Sequence, residues 1–213
     1  MFKSKAALAA LIPIALAACS TPNNQITDTG ITATRSACPA VAIPAATGDI
    51  TLFNPEGSRD ASAIDVVANI TNLRSTCDEA GENIVTRVTF DVQAQRRDAR
   101  GARQVVLPYF AVAVQGGTQV QSKSVGRVGL SFADGALRAS TSGQATGQVT
   151  RAAVTLPEDV RERITRRRKP GDPEAAIDPL ADPVVREAVR KASFEMLVGF
   201  QLTQDQLAYN ATR

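Results

Sequence analysis

Between Asp65 and Phe132 the chain alternates apolar and polar residues with the two-residue period of a half-buried β-sheet, and turn residues break the alternation repeatedly. The clearest run sets Ile84, Thr86, Val88, Phe90, Val92 and Ala94 on one face and Val85, Arg87, Thr89, Asp91 and Gln93 on the other. Ile50–Phe53, Asp65–Leu73 and Val120–Phe132 read as further strands, and Leu137–Val154 as a weaker Ser/Thr/Gly-rich pair. Cys77–Asn83 reads as a polar hairpin loop, while Gln115–Thr118 and Asp134-Gly135 read as turns. Val105–Val114 is almost wholly apolar and predicts a central strand covered on both faces, against which Pro108 speaks, because mid-strand proline favours an edge or a bulge. The stretch Cys38–Pro44, with Pro39 and Pro44, predicts an edge segment. About seven strands separated by turns predict a mainly β fold, an immunoglobulin-like β-sandwich, with a small barrel as the alternative.

Helical period enters only late. Pro157 and the acids Glu158 and Asp159 open a short helix within Glu158–Lys169, and a Pro- and Ala-rich loop follows to Ala181. Asp182 then caps a helix with Pro183 at its first position and Arg190-Lys191 in its last turn. Alternation returns at Phe194, Met196, Val198, Phe200 and Leu202, predicting a final strand that is central in its sheet. Thr203 and Gln206 stand three apart, the spacing of a capping box, and open a short C-terminal helix.

The N-terminus carries Lys3 and Lys5, an apolar run from Ala6 to Ala18, and then Cys19. That run is too short to span a bilayer, which takes roughly 20 residues, and has the layout of an export signal. Leu16-Ala17-Ala18-Cys19 resembles the lipobox of bacterial lipoprotein precursors. The resemblance implies a signal peptide over 1–18, diacylglyceryl and palmitate attachment at Cys19, and a lipidated flexible tether over 19–37. It further implies a cell-envelope location; Ser20 after the anchor suggests the outer membrane, facing the periplasm. A single sandwich domain then covers 38–213, with a basic, Pro-rich insertion at about 157–182.

In that oxidising compartment Cys38 and Cys77 are expected to pair as a disulfide, the alternative being two free buried thiols. Two distant cysteines and no histidine do not supply a metal site, and no cofactor is expected. The lack of histidine also removes Ser-His and Cys-His nucleophile pairs and the usual imidazole acid-base group, so a non-enzymatic chain is expected. Two of the 24 Lys and Arg lie in the signal, leaving 22 against 21 acids, a near-neutral mature chain that argues against nucleic acid.

Arg161, Arg163, Arg166, Arg167, Arg168 and Lys169 form the sharpest local feature, six cations in nine residues. They either bind anionic headgroups or an acidic envelope polymer, or form a solvated loop balanced by neighbouring acids. Arg96, Arg97, Arg100 and Arg103 make a second basic corner, an anion-binding face if the fold sets it beside the first. Ser122-Lys123-Ser124 has the residue types of a Ser-Lys pair, but adjacent strand positions face opposite ways. Asp60, Asp65, Asp172, Asp178 and Asp182 lack calcium-loop spacing.

Cys38-Pro39-Ala40-Val41, Pro108–Val112, Gly199–Thr203 and Gln206–Asn210 resemble a family of small uncharacterised lipoproteins of Gram-negative envelopes. No catalytic residue follows from that resemblance. The expected function is that of a lipid-anchored adaptor or assembly factor with an envelope protein partner, held to the membrane through its N-terminal lipid. A module binding an anionic polymer, lipid or peptide is the alternative, and a hydrolase a more remote one.

Overall fold

The computed structural model describes the backbone of Ile26–Thr27 and Gly30–Ile31, and then residues 36–166, 171, 173 and 177–212. The chain divides into a unit over Met1–Thr34 and a unit over Arg35–Arg213. In the first, β1 (Ile26–Thr27) pairs with β2 (Gly30–Ile31) as a small antiparallel hairpin. Cys19 and the segment over 1–18 read as a signal lie outside the described residues.

The second unit is a two-sheet sandwich of eight strands. In chain order they are β3 (Ala40–Ala42), β4 (Asp49–Phe53), β5 (Ile64–Asp78), β6 (Asn83–Arg96), β7 (Arg103–Gln115), β8 (Gln119–Phe132), β9 (Arg138–Thr150) and β10 (Phe194–Phe200). One sheet runs β3-β10-β7-β8 and the other β4-β5-β6-β9. All pairings are antiparallel except β3 with β10. The final strand is central, as its apolar alternation predicts, and the proline-flanked β3 is an edge. Between β9 and β10 stand α1 (Arg151–Val154), α2 (Glu158–Thr165), a 3-10 turn at Pro179–Ala181 and α3 (Pro183–Lys191). After β10 comes α4 (Gln204–Thr212). No helix among the described residues is long and apolar enough to cross a membrane.

The expected caps are present. Asp182 accepts from the Val184 N–H at 2.8 Å. The Thr203 N–H donates to Gln206 Oε1 at 2.9 Å while the Gln206 N–H donates to Thr203 Oγ1 at 3.2 Å, a complete capping box. Two boundaries differ from the sequence reading. The Leu137–Val154 stretch is one strand followed by a helical turn, not two strands. Cys77 lies in β5 rather than in a hairpin loop, because β5 continues past a bulge between Thr71 and Arg74. Asn72 takes the left-handed conformation there, with φ of 52°.

Pro108 fits a central strand for a local reason. Its carbonyl accepts from the Gln201 N–H at 2.9 Å, just beyond the last residue of β10. The missing proline N–H points the same way as that carbonyl, so the one ladder bond forgone is the reciprocal one to Gln201, at the end of the pairing with β10, and the β8 side of the strand is untouched.

The core between the sheets is built from Val, Ala, Ile and Leu with Phe90, Phe132 and Phe200. Phe90 of β6 meets Tyr109 of β7 edge-on, ring centroids 5.0 Å apart, and the Tyr109 hydroxyl donates to the Gln144 carbonyl of β9 at 2.6 Å. One phenol thus ties the two sheets together. Glycines make room for both rings: a Cβ at Gly143 would stand 2.4 Å from Phe90, and one at Gly126 2.4 Å from Tyr109. Neither ring yields like a flexible chain end. Gly143→Ala is expected to cost about 1–3 kcal/mol in urea denaturation, as overpacking does elsewhere; an unchanged midpoint would show that the inter-sheet space is looser than this.

Candidate functional site

The predicted disulfide is formed: Cys38 and Cys77 are bonded across 39 residues with Cα atoms 6.1 Å apart. The β5 bulge shifts the phase of the strand by one residue, which turns Cys77 inward beside Ile84, Val149, Val154 and Phe194. Glu79 lies close by, all three ligand atoms within 4.8 Å of one another, but two sulfurs bonded to each other offer no thiolate pair to a cation.

Two cations of the basic segment are matched by acids. Arg161 pairs with Glu158, and Arg163 meets Asp182 at 3.1 Å. Arg166 is exposed just beyond the end of α2, and Arg167, Arg168 and Lys169 lie outside the described residues. The second corner is matched too. Arg103 donates to both oxygens of Asp65, at 2.8 and 2.6 Å, and this contact raises its pKa. Arg100 donates to both oxygens of Asp98, and these bonds with the Arg100 backbone N–H hold that carboxyl down at about 2.

The two basic features stand at opposite ends of the sandwich. Thr150, before α1, pairs with Asn83 at one end of β6, and Arg96 is the other end, about 40 Å away at ~3.3 Å per residue. Among the described residues the fold does not assemble one cationic face from them.

Other predicted candidates have structural roles. Asp178 and Asp182 cap the N–H groups of Leu180 and Val184 at 2.9 and 2.8 Å. Ser58 donates to Asp60. Asp172 lies outside the described residues. Ser122, Lys123 and Ser124 lie on an exposed stretch of β8, and Lys123 sits over the Phe110 ring at 5.5 Å.

The two outer faces of the sandwich differ sharply. Directly paired residues project to the same side. On the β4-β5-β6-β9 sheet the outward rows are polar, with Asn69, Gln93 and Ser140 in one row and Thr71, Asp91 and Ser142 in the next. Asp91 accepts from Asn72 at 2.7 Å and Ser142 at 2.9 Å, and these bonds lower its pKa.

On the β3-β10-β7-β8 sheet the outward row of β7 is apolar and its neighbours are mixed: Phe110 lies beside Val125 and Gly199, Val112 beside Leu197 and Lys123, and Val114 beside Val120 and Glu195. Val120, Val125 and Val106 are 64%, 59% and 55% exposed. The expectation that β7 is covered on both faces therefore holds only in part. Val112 and Val114 are buried, whereas Val106 stands open and Phe110 lies on the outward face. The apolar run showed that both faces suit shelter, not that the chain supplies it.

Arg96 is the residue whose role the sequence reading missed. It is 2% exposed, over the Phe132 ring at 5.2 Å, and donates to four carbonyls. These are Ala136 at 2.7 Å, Gly101 at 2.8 Å, Ala99 at 2.6 Å and Ala133 at 2.9 Å. A signal was present: the inward row of β6 passes from Ile84 by twos to Ala94, and the next step is Arg96. It is a clamp between the β6–β7 and β8–β9 connections, not part of an anion site. Comparison with protein-family models, curated proteins and solved structures returns no match.

Proposed function

We propose that this chain is a lipid-anchored envelope protein that works without catalysis, holding a protein partner against the outward face of its β3-β10-β7-β8 sheet. The observation that carries this reading is the contrast between the two outer faces. Single exposed apolar residues are ordinary, but Val106, Val120 and Val125 are exposed beside one another's strands along the apolar outward row of β7 that holds Phe110, a grouping of the kind that marks protein contacts. Lys123 and Arg127 alternate with Val125 on β8, so the face carries cations among its apolar residues, as many interfaces carry polar groups. The lipobox-like N-terminus and the Cys38–Cys77 bridge both suit an exported, oxidised protein.

The test uses a photo-crosslinking residue at Val125 and, separately, at Gln93 on the polar outer face, each in the full acylated chain in intact cells. A discrete protein adduct is expected from position 125, absent from position 93, and abolished by Val106→Glu. Equal adducts from both positions, or none from 125, would end the proposal. Mass spectrometry of the mature N-terminus decides the anchor independently: diacylglyceryl on Cys19 is the expected result.

A further inference from the structure

The described residues carry a second exposed apolar patch, at the end of the domain where the N-terminal segment enters. Ala37 packs with Ile84, Val149, Val154 and Phe194, and β3 runs parallel to β10 from this end. Helices α1, α2 and α3 gather at the same end, whereas α4 packs against β4 near the other. Gln115, at the close of β7, donates to the Lys191 carbonyl at 2.7 Å, and Arg190 Nη1 donates to the Gly116 carbonyl at 3.0 Å. Here Ile177, Leu180 and Val184, within eight residues of one another, are 55%, 44% and 64% exposed. A groove of about 660 Å³ runs beside Val184 between α3 and the Ala153–Pro157 link, with Pro157, Pro183 and Ala188 in its wall and Lys191 at its rim.

We infer that this helical end is a bilayer-docking face: Ile177, Leu180 and Val184 enter the headgroup region of the membrane that holds the lipid anchor. The inference rests on the anchored reading above. Its geometric ground is the length of chain before the domain. Eighteen residues separate Cys19 from Cys38. Eighteen residues reach about 60 Å at most, and the β1–β2 hairpin within them shortens that reach. The long strands place the opposite end of the sandwich roughly 40 Å further off, reached only near full extension. The helical end is therefore the part of the domain held against the bilayer at least cost. Exposed aliphatic side chains there gain by leaving water, and a lysine can keep its ammonium at the headgroups while its stem lies along them. In sequence the cationic run from Arg161 to Lys169 begins within α2 and precedes the exposed apolar residues, a composition that suits anionic headgroups.

The chain has no tryptophan, so a single introduced one reports its own surroundings. The acylated full-length chain carrying Val184→Trp, and a second carrying Val125→Trp, are reconstituted in phosphatidylethanolamine–phosphatidylglycerol vesicles containing doxyl-labelled lipid. Flotation is read alongside fluorescence. The expected result is that both chains float, and that only the Val184→Trp chain shows blue-shifted emission quenched by the doxyl groups. Should circular dichroism show that Val184→Trp does not fold, Leu180→Trp carries the measurement. Chains that float while position 184 keeps the emission of a solvated indole overturn the docking face and leave the anchor intact. A blue shift insensitive to doxyl lipid means that protein covers the patch, and also overturns it. Chains that do not float remove the anchored reading, and the docking face with it.

Discussion

Arg96→Ala is expected to lower the stability of the domain by about 3–5 kcal/mol, because it strips partners from two connections at once. The guanidinium fork serves Ala99 and Gly101 on the β6–β7 connection and Ala133 and Ala136 on the β8–β9 connection. The two connections also meet through the Gly135 N–H to the Ala99 carbonyl and the Gly101 N–H to Asp134. With alanine, the carbonyls lose their donor and a cavity opens beside Phe132, so desolvation and packing losses act together. For a chain of this size the change corresponds to a drop in Tm of about 6–20 °C. Arg96→Lys is expected to recover only part of it, since an ammonium at one point cannot span four acceptors held by a planar fork. Urea denaturation measures both variants. A loss below about 1 kcal/mol for Arg96→Ala would mean that water replaces the side chain freely, contrary to its burial.

Opening the Cys38–Cys77 bridge is the second large effect. A closed loop of 39 residues restricts the unfolded chain enough to stabilise the fold by about 3–4 kcal/mol in the chain-entropy description. The bridge also sits where Ala37 and Cys77 pack beside Ile84, Val149, Val154 and Phe194. A paired Cys38→Ser, Cys77→Ser chain is expected to unfold at lower urea than the oxidised protein. Reductant is expected to shift the oxidised protein to the same midpoint and to leave the serine variant unmoved. If reductant shifts neither, the cysteines are not paired in solution. This staple compensates for a core assembled largely from small aliphatic side chains, which bury little area apiece.

The clearest expectations came from residues whose meaning is local. Capping pairs such as Thr203 with Gln206, and Asp182 ahead of Pro183, specify helix starts through hydrogen bonds spanning three residues. The inward row of β6 specifies its strand because one period persists for its whole length. The reading failed where the period slipped. On β5 the core-facing residues are Val66, Ala68 and Ile70 before the bulge, and after it Ser75 and Cys77 share the register positions of Val88 and Thr86. A strand that changes phase looks, one residue at a time, like a strand that stops.

The candidate surfaces were less legible than the fold. Arg96, Arg100 and Arg103 are alike as letters, yet one is buried among carbonyls and the other two are spoken for by Asp98 and Asp65. Asp98 is two residues from Arg100, whereas Asp65 is 38 from Arg103 and reaches it only because β5 and β7 come together across the sandwich. Charge along the chain counts groups, and only their meeting in space says which remain available.

Composition, period and caps were enough to dictate a two-sheet β domain with late helices, since these act through neighbours on the chain. Which apolar row was left facing water, which arginine went inside and where the helices settled depended on contacts between residues tens of positions apart. Pairing at that distance is settled by how whole strands and helices pack, and a residue type carries no record of it.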